Sequence, residues 1–349
     1  MKINKYSFVI CLLIIGLGLR AQTPALQVGI TAGSGTVWLD KAFLMKGTPL
    51  FLSGILVESP IKTSISIIPK PKALILNAFW GEFEAPVHQI FGITATGKFQ
   101  IVKFKSLSIN SLAEFGVCYA PFPYRVATNY TNNLIGSYLN VLGGGGFEIQ
   151  WAVSGKLSLS AGAKVLHISN GEFQKPNDGL NFISYPVTLK YNITTSEKPL
   201  IEISKTLKKH SFELFLSYAL REVKALQPKK FAVVSGSAAY FRKIVHNWQL
   251  GISTDLFFDA NNAAGYVLNP QGSKLQAGFS GMWKLNFDKL SIEQGIGYYV
   301  YNKNSDRSNT YNRLNIKWNI KPIFLVLSYN RHQGSGYYLG YGLGYKLVQ

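Results

Sequence analysis

The segment YYLGYGLGYKL near the end of the chain restricts its fold more than any other stretch. Tyr337, Leu339, Tyr341, Leu343, Tyr345 and Leu347 share one parity, and Tyr338, Gly340, Gly342, Gly344 and Lys346 share the other. An extended strand turns successive side chains to opposite faces, so the two sets separate completely. The first face, apolar with aromatic residues at its ends, suits lipid. The second, small or charged, suits a crowded barrel interior. The G-x-G spacing is not a nucleotide-binding turn, because no helix pattern follows it.

The same alternation recurs around Leu26–Ala32, Ala73–Phe83, Ile90–Phe104, Leu107–Cys118 and Leu139–Val153, then around Leu157–Ser169 and Phe182–Ile193. It continues around His210–Ala219, Phe231–Phe241, Trp248–Phe258, Leu275–Leu285, Leu290–Tyr301, Tyr311–Ile320 and Ile323–Tyr329. Clusters of Asn, Gly, Pro and polar residues separate most of these runs. The expected fold is therefore all-β: an antiparallel transmembrane β-barrel of the outer-membrane type, with a soluble secreted all-β protein as the competing reading. Allowing roughly 20 to 24 residues per strand and connection, the barrel closes at about 14 to 16 strands. The stretch from Lys41 to Lys72 is less regular. Strands of one pattern continue past TTSEKP (Thr194–Pro199), so residues 22–349 read as a single barrel domain. The run Gly143–Gly146 lies inside a strand pattern, where glycine lets a bulky neighbour approach or the barrel bend.

The amino terminus reads as an export signal over residues 1–21: Lys2 and Lys5, an apolar run from Phe8 to Leu19, and a small residue at Ala21. No other stretch is a long uncharged apolar run, so spanning helices are not expected in the mature chain. Cys118 would then be the one mature cysteine, without an intramolecular disulfide partner. The formal charge is +19, and removal of Lys2, Lys5 and Arg20 would leave +16. Nucleic acid is one partner for such a charge, but export argues against it. A phosphate-dense lipopolysaccharide leaflet and simple solubility of loops and lumen remain as readings. His88, His210, His246 and His332 show no ligand spacing, so no metal role is assigned and no cofactor is expected.

One stretch departs from the barrel pattern in a chemically informative way. Leu157, Leu159, Ala161, Ala163 and Val165 lie on the lipid face of their strand, and His167 and Ser169 continue that parity. The next strand places Asn181, Ile183, Tyr185, Val187, Leu189 and Tyr191 on its own lipid face. The loop NGEFQKPNDGL joining them is long, whereas the turn at Ser154–Lys156 is tight. Long loops are extracellular and short turns periplasmic in such barrels, which puts His167 and Ser169 at outer-leaflet depth. Polar groups facing lipid are costly unless paired. Two readings stand: interfacial polar residues where the strand leaves the membrane, or an imidazole that takes a serine proton and so makes a nucleophile for an ester.

The residues HISNG followed by PNDGLN resemble the active-site segment of the lipid A 3-O-deacylases and their relatives, the acyloxyacyl hydrolases. Those are outer-membrane β-barrel serine esterases, the small members eight-stranded. The resemblance implies His167 as base, Ser169 as nucleophile, and Asn170 and Asn177 in oxyanion stabilisation. A glutamate that orients the histidine in the family falls at Asn181 here. An amide oxygen still accepts the Nδ1–H bond but brings no charge to the imidazolium. Glu172 and Asp178, nearby in the loop, are candidates to supply that charge, and Lys175 is a candidate to meet a phosphate. The implied partner is lipid A of lipopolysaccharide in the outer membrane of a diderm bacterium. The alternative is a non-catalytic barrel, either a channel or a member with a decayed site. Whether the chain forms a homodimer stays open.

Overall fold

The computed structural model describes residues 27–37, 50–62, 70–193, 201–202, 209–224, 227–245, 247–260, 273–287, 289–303, 309–332 and 337–348. The expected export signal lies outside these residues, as does the whole of TTSEKP. The described residues form seventeen strands and no α-helix. Every long strand pairs antiparallel with its neighbours. The strands expected from alternation are present, with ends moved by a few residues. A strand not expected, β2 (Leu50–Lys62), lies in the irregular stretch.

The strands close into two rings rather than one. In the first, β1 (Gln27–Val37) pairs with both β2 and β8 (Leu180–Asn192). Between them run β3 (Lys70–Glu82), β4 (Gln89–Phe104), β5 (Leu107–Tyr119), β6 (Leu139–Ala152) and β7 (Leu157–Ser169). The short β9 (Ile201–Glu202) adds a parallel bridge to β2. The second ring holds β10 (His210–Lys224), β11 (Gln227–Val245), β12 (Trp248–Asp259), β13 (Leu275–Phe287), β14 (Leu290–Tyr301), β15 (Thr310–Asn319), β16 (Ile323–His332) and β17 (Tyr337–Val348). Pairing of β17 with β10 closes it. Two eight-stranded rings account for sixteen strands, within the expected count, but not for one barrel over 22–349. By their contacts the residues group into an amino-terminal unit, 1–169 with 178–202, and a carboxy-terminal unit, 170–177 with 203–349.

Interior charge explains why each ring is small. An eight-stranded barrel has an interior just wide enough for side chains to fill. In the first ring, Glu58 on β2 is ion-paired with Lys98 on β4 and with Lys190 on β8 at 2.9 Å. Glu148 on β6 completes the cluster. In the second, Glu213 on β10 meets Lys284 on β13 at 2.5 Å and Lys317 on β15 at 2.9 Å. Glu293 on β14 meets the same two lysines at 3.0 and 2.7 Å. Glu293 bridges its two neighbouring strands, whereas Glu213 reaches three strand positions around the ring to Lys284 and to Lys317, an approach that a wide sixteen-stranded lumen does not allow.

The outer faces keep the expected parity. Val165 on β7 is 52% exposed, and Tyr341 and Leu343 on β17 are 62% and 58% exposed, whereas their inward neighbours are buried or half-buried. Cys118 is buried among apolar residues, as a small hydrophobe. Within Gly143–Gly146, Gly144 faces Leu166 across the β6–β7 ladder. A Cβ at 144 would lie 2.8 Å from the Leu166 side chain, so glycine admits that bulky neighbour as expected.

Candidate active site

The first ring has two different ends. Tight turns join β4 to β5 and β6 to β7. At the other end longer connections join β3 to β4, β5 to β6 and β7 to β8. An apolar core fills the interior at this second end. It includes Leu166 and Ile168 of β7, Leu180 and Phe182 of β8, Phe79 and Phe83 of the β3 end, and Leu134 and Ile135 of the β5–β6 connection. His167 and Ser169 are the outward neighbours of Leu166 and Ile168, and Asn181 is the outward neighbour of Leu180 and Phe182. Alternation thus fixes the polar residues to a strand pair whose other face is rigidly packed.

Across the β7–β8 ladder His167 and Asn181 are direct register partners. Side chains so placed have Cβ atoms about 5 Å apart on one face. The His167 Nδ1 and Asn181 Oδ1 lie 2.7 Å apart. An amide oxygen only accepts, so Nδ1 carries the proton and Nε2 presents its lone pair. Ser169 follows His167 by two residues on the same face and is buried, with 4% of its surface exposed. A base in the correct tautomer, an orienting acceptor and a hydroxyl thus share one strand face.

Gly179 presses on the ring from the β8 side. Its φ is +78°, a left-handed conformation that glycine adopts without a Cβ penalty. A Cβ there would lie 2.5 Å from His167 Cε1. The connection from β5 to β6 fixes this glycine: Gly179 N–H donates to Leu134 O at 3.0 Å, and Asp178 N–H donates to Asn133 O at 3.1 Å. Buried Asn132 organises that connection. Its Nδ2 donates to Phe122 O at 2.8 Å, and its Oδ1 accepts the N–H groups of Leu134 and Ile135 at 3.2 and 3.0 Å. Sequence reading passed over Gly179 and Asn132. The signals present were a glycine just before β8 and an asparagine cluster in TNYTNN, and neither states what it touches.

Gly143 on β6 is the other register partner of His167, and a Cβ built there meets nothing within 4 Å. The lipid-facing surface beside the imidazole is open on that side.

The residues Asn170–Asn177 group with the carboxy-terminal unit. Asn170 N–H donates to Asn177 Oδ1 at 3.0 Å, and Asn170 Nδ2 donates to Gln174 O at 2.8 Å. The two asparagines are therefore brought together. The main-chain N–H of Asn170 is already committed, so oxyanion donors from these residues must be side-chain amide hydrogens. Glu172 does not act as a charge donor to the imidazole: it pairs with Arg221 at 3.1 Å and with Lys175 at 2.9 Å. The stronger pull of two cations accounts for this. Lys175 is accordingly engaged by Glu172. Asp178 is exposed, and it is Asn181 that holds the Nδ1 of His167.

The family described as lipid A 3-O-deacylase (PagL) matches residues 74–190, and the family described as acyloxyacyl hydrolase, C-terminal domain, matches residues 210–349. The chain belongs to the lipid A 3-O-deacylase and acyloxyacyl hydrolase family. The two matched ranges follow the two rings. The crystal structure of the outer membrane enzyme PagL is similar at 17% identity, covering 48% of this chain and 99% of that one, with a TM-score of 0.33. A mutant porin of Rh. blastica, at 10% identity, covers 93% of this chain and 99% of its own, with a TM-score of 0.20. An outer-membrane channel from Pseudomonas putida F1, at 10% identity, covers 93% of this chain and 96% of its own, with a TM-score of 0.22. No curated protein sequence matches the chain. As a family member with lipid-facing barrel surfaces, the protein is an outer-membrane protein.

Proposed function

We propose that this protein is an outer-membrane serine esterase that removes an ester-linked acyl chain from lipid A. The observation that carries the reading is the 2.7 Å contact of His167 Nδ1 with Asn181 Oδ1 on the lipid-facing side, two residues from Ser169. A porin-like function would place its working residues in the lumen instead. Among the described residues, the interiors of both rings hold buried ion clusters.

In the proposed cycle Ser169 Oγ attacks the acyl carbonyl carbon while His167 Nε2 takes the hydroxyl proton. Side-chain amides of Asn170 and Asn177 donate to the developing oxyanion. Collapse breaks the ester bond, and the imidazolium returns its proton to the leaving sugar oxygen. Water then attacks the acyl-serine, again giving a proton to His167; the acyl–Oγ bond breaks, the imidazolium returns its proton to Ser169 Oγ, and the fatty acid leaves. Asn181 holds the imidazole in its Nδ1–H form throughout. Apolar room beside Gly143 suits an acyl chain lying along the barrel wall.

The test is incubation of the purified, folded protein with lipopolysaccharide in lipid vesicles, with mass spectrometry of released hydroxy fatty acid. Release by the wild type and none by Ser169→Ala is expected. No release by the wild type, or equal release by Ser169→Ala, refutes the reading.

A further inference from the structure

We infer that Arg221 and Glu222, at the end of β10, are positioning residues for the reaction: they clamp the loop that carries Asn170 and Asn177. The inference rests on the esterase reading and extends it to residues of the second ring that touch no substrate.

The loop has an unfavourable backbone. Gly171 has φ +63°, and Glu172 has φ +62°, in the left-handed region that side chains other than glycine rarely adopt. Such a residue is strained and persists only where its surroundings hold it. Here the surroundings are specific. Glu222 grips the loop twice through its main chain and side chain: its N–H donates to Glu172 O at 2.8 Å, and its Oε2 accepts Lys175 N–H at 2.6 Å. Arg221 uses its fork: one nitrogen meets Glu172 Oε2 at 3.1 Å and the other meets Asp259 Oδ2 at 3.1 Å. Lys230 sits 3.2 Å over the Phe173 ring. At Gly171 a Cβ would lie 2.7 Å from Leu339 Cβ, so the loop backbone rests directly on β17.

Arg221, Glu172 and Glu222 are all buried. A buried pair with one partner removed leaves an uncompensated charge, so the clamp is strongly favoured when complete. Its geometric product is a pair of bonds within the loop: Asn170 N–H to Asn177 Oδ1 orients the Asn177 amide, and Asn170 Nδ2 to Gln174 O orients the Asn170 amide. Loss of the clamp lets Glu172 relax toward an ordinary conformation, and both bonds loosen with it. Oxyanion donors act through preorganisation, so the transition state suffers more than substrate binding.

The experiment compares wild type, Arg221→Gln, Arg221→Lys and Glu222→Gln, each full-length and confirmed folded by its heat-modifiable gel mobility. Kinetics on lipopolysaccharide are measured, together with amide hydrogen exchange over residues 170–177. Arg221→Gln and Glu222→Gln are expected to lower kcat by about 10- to 100-fold with KM nearly unchanged, and to speed exchange in the loop. Arg221→Lys restores part of kcat, because an ammonium reaches Glu172 but cannot fork to Asp259 as well. Unchanged kcat in folded Arg221→Gln and Glu222→Gln, or a loss confined to KM, overturns the inference while leaving the esterase reading intact. Failure of that reading is seen separately, as a wild type that releases no fatty acid and whose Ser169 does not react with a fluorophosphonate. The exchange measurement then still decides the clamp, and unaltered exchange in the variants overturns it.

Discussion

Replacing Asn181 by aspartate tests the least usual feature of the site. The substitution keeps the shape, so an oxygen remains about where Oδ1 now lies, 2.7 Å from His167 Nδ1. What changes is the charge facing the imidazolium that forms when His167 takes the serine proton. A neutral hydrogen bond contributes about 0.5–1.5 kcal/mol and one between charged groups about 1.5–3 kcal/mol. The transition state therefore gains about 1–1.5 kcal/mol that the amide cannot supply, and about 1.4 kcal/mol is tenfold in rate. His167 and Asn181 are half-buried, so solvent screening leaves most but not all of that gain. The expected result is a five- to tenfold rise in kcat, on the order given by that conversion, measured on the pH plateau with fatty-acid release as the assay. Asn181→Leu removes the acceptor and frees the tautomer, and kcat falls by about 10²- to 10⁴-fold, the upper figure being the cost of a wrong tautomer in a serine protease. If Asn181→Asp does not raise kcat and Asn181→Leu leaves it within about twofold, the reasoning that Asn181 orients a catalytic base is wrong.

Three further outcomes follow from individual contacts. Gly179→Ala, at φ +78° and with its Cβ 2.5 Å from His167 Cε1, is expected to lower kcat about tenfold and stability by about 1–2 kcal/mol, read by kinetics and urea midpoint. Gly143→Leu meets no protein atom at its Cβ, so it should fold with an unchanged urea midpoint yet raise KM several-fold by filling the room beside His167; an unaltered kcat/KM would count against that route for the acyl chain. Glu213→Gln leaves Lys284 and Lys317 short of a buried counter-charge and should destabilise the carboxy-terminal ring by about 3–5 kcal/mol, while the wild type passes no ion current in planar bilayers.

Much of the site was legible in the chain because period two is a local property. Parity alone put His167, Ser169 and Asn181 on lipid-facing sides, and the resemblance of HISNG and PNDGLN to the family supplied their roles. The contact between His167 and Asn181 was a matter of register, which parity does not specify. The connection between their strands is long, and only the β7–β8 ladder makes the two residues direct partners. Gly179 and Asn132 were invisible for a related reason: each acts through a main-chain contact with a segment distant in sequence. Glu172 looked like a spare acid near the histidine until Arg221, 49 positions later, was seen to hold it.

Ring closure marks the boundary between the two kinds of information. Alternation determined strands, faces and the total near sixteen, because each side chain reports its own environment through the residue before and after it. It could not determine that β8 returns to β1 and β17 to β10, since a strand in an eight-membered ring alternates as one in a sixteen-membered ring does. Lumen ion pairs report that closure where they join strands far apart in sequence, as between Glu58 and Lys190 or Glu213 and Lys317. Which charges meet across a barrel depends on strand order and register together, and those exist only in the folded chain.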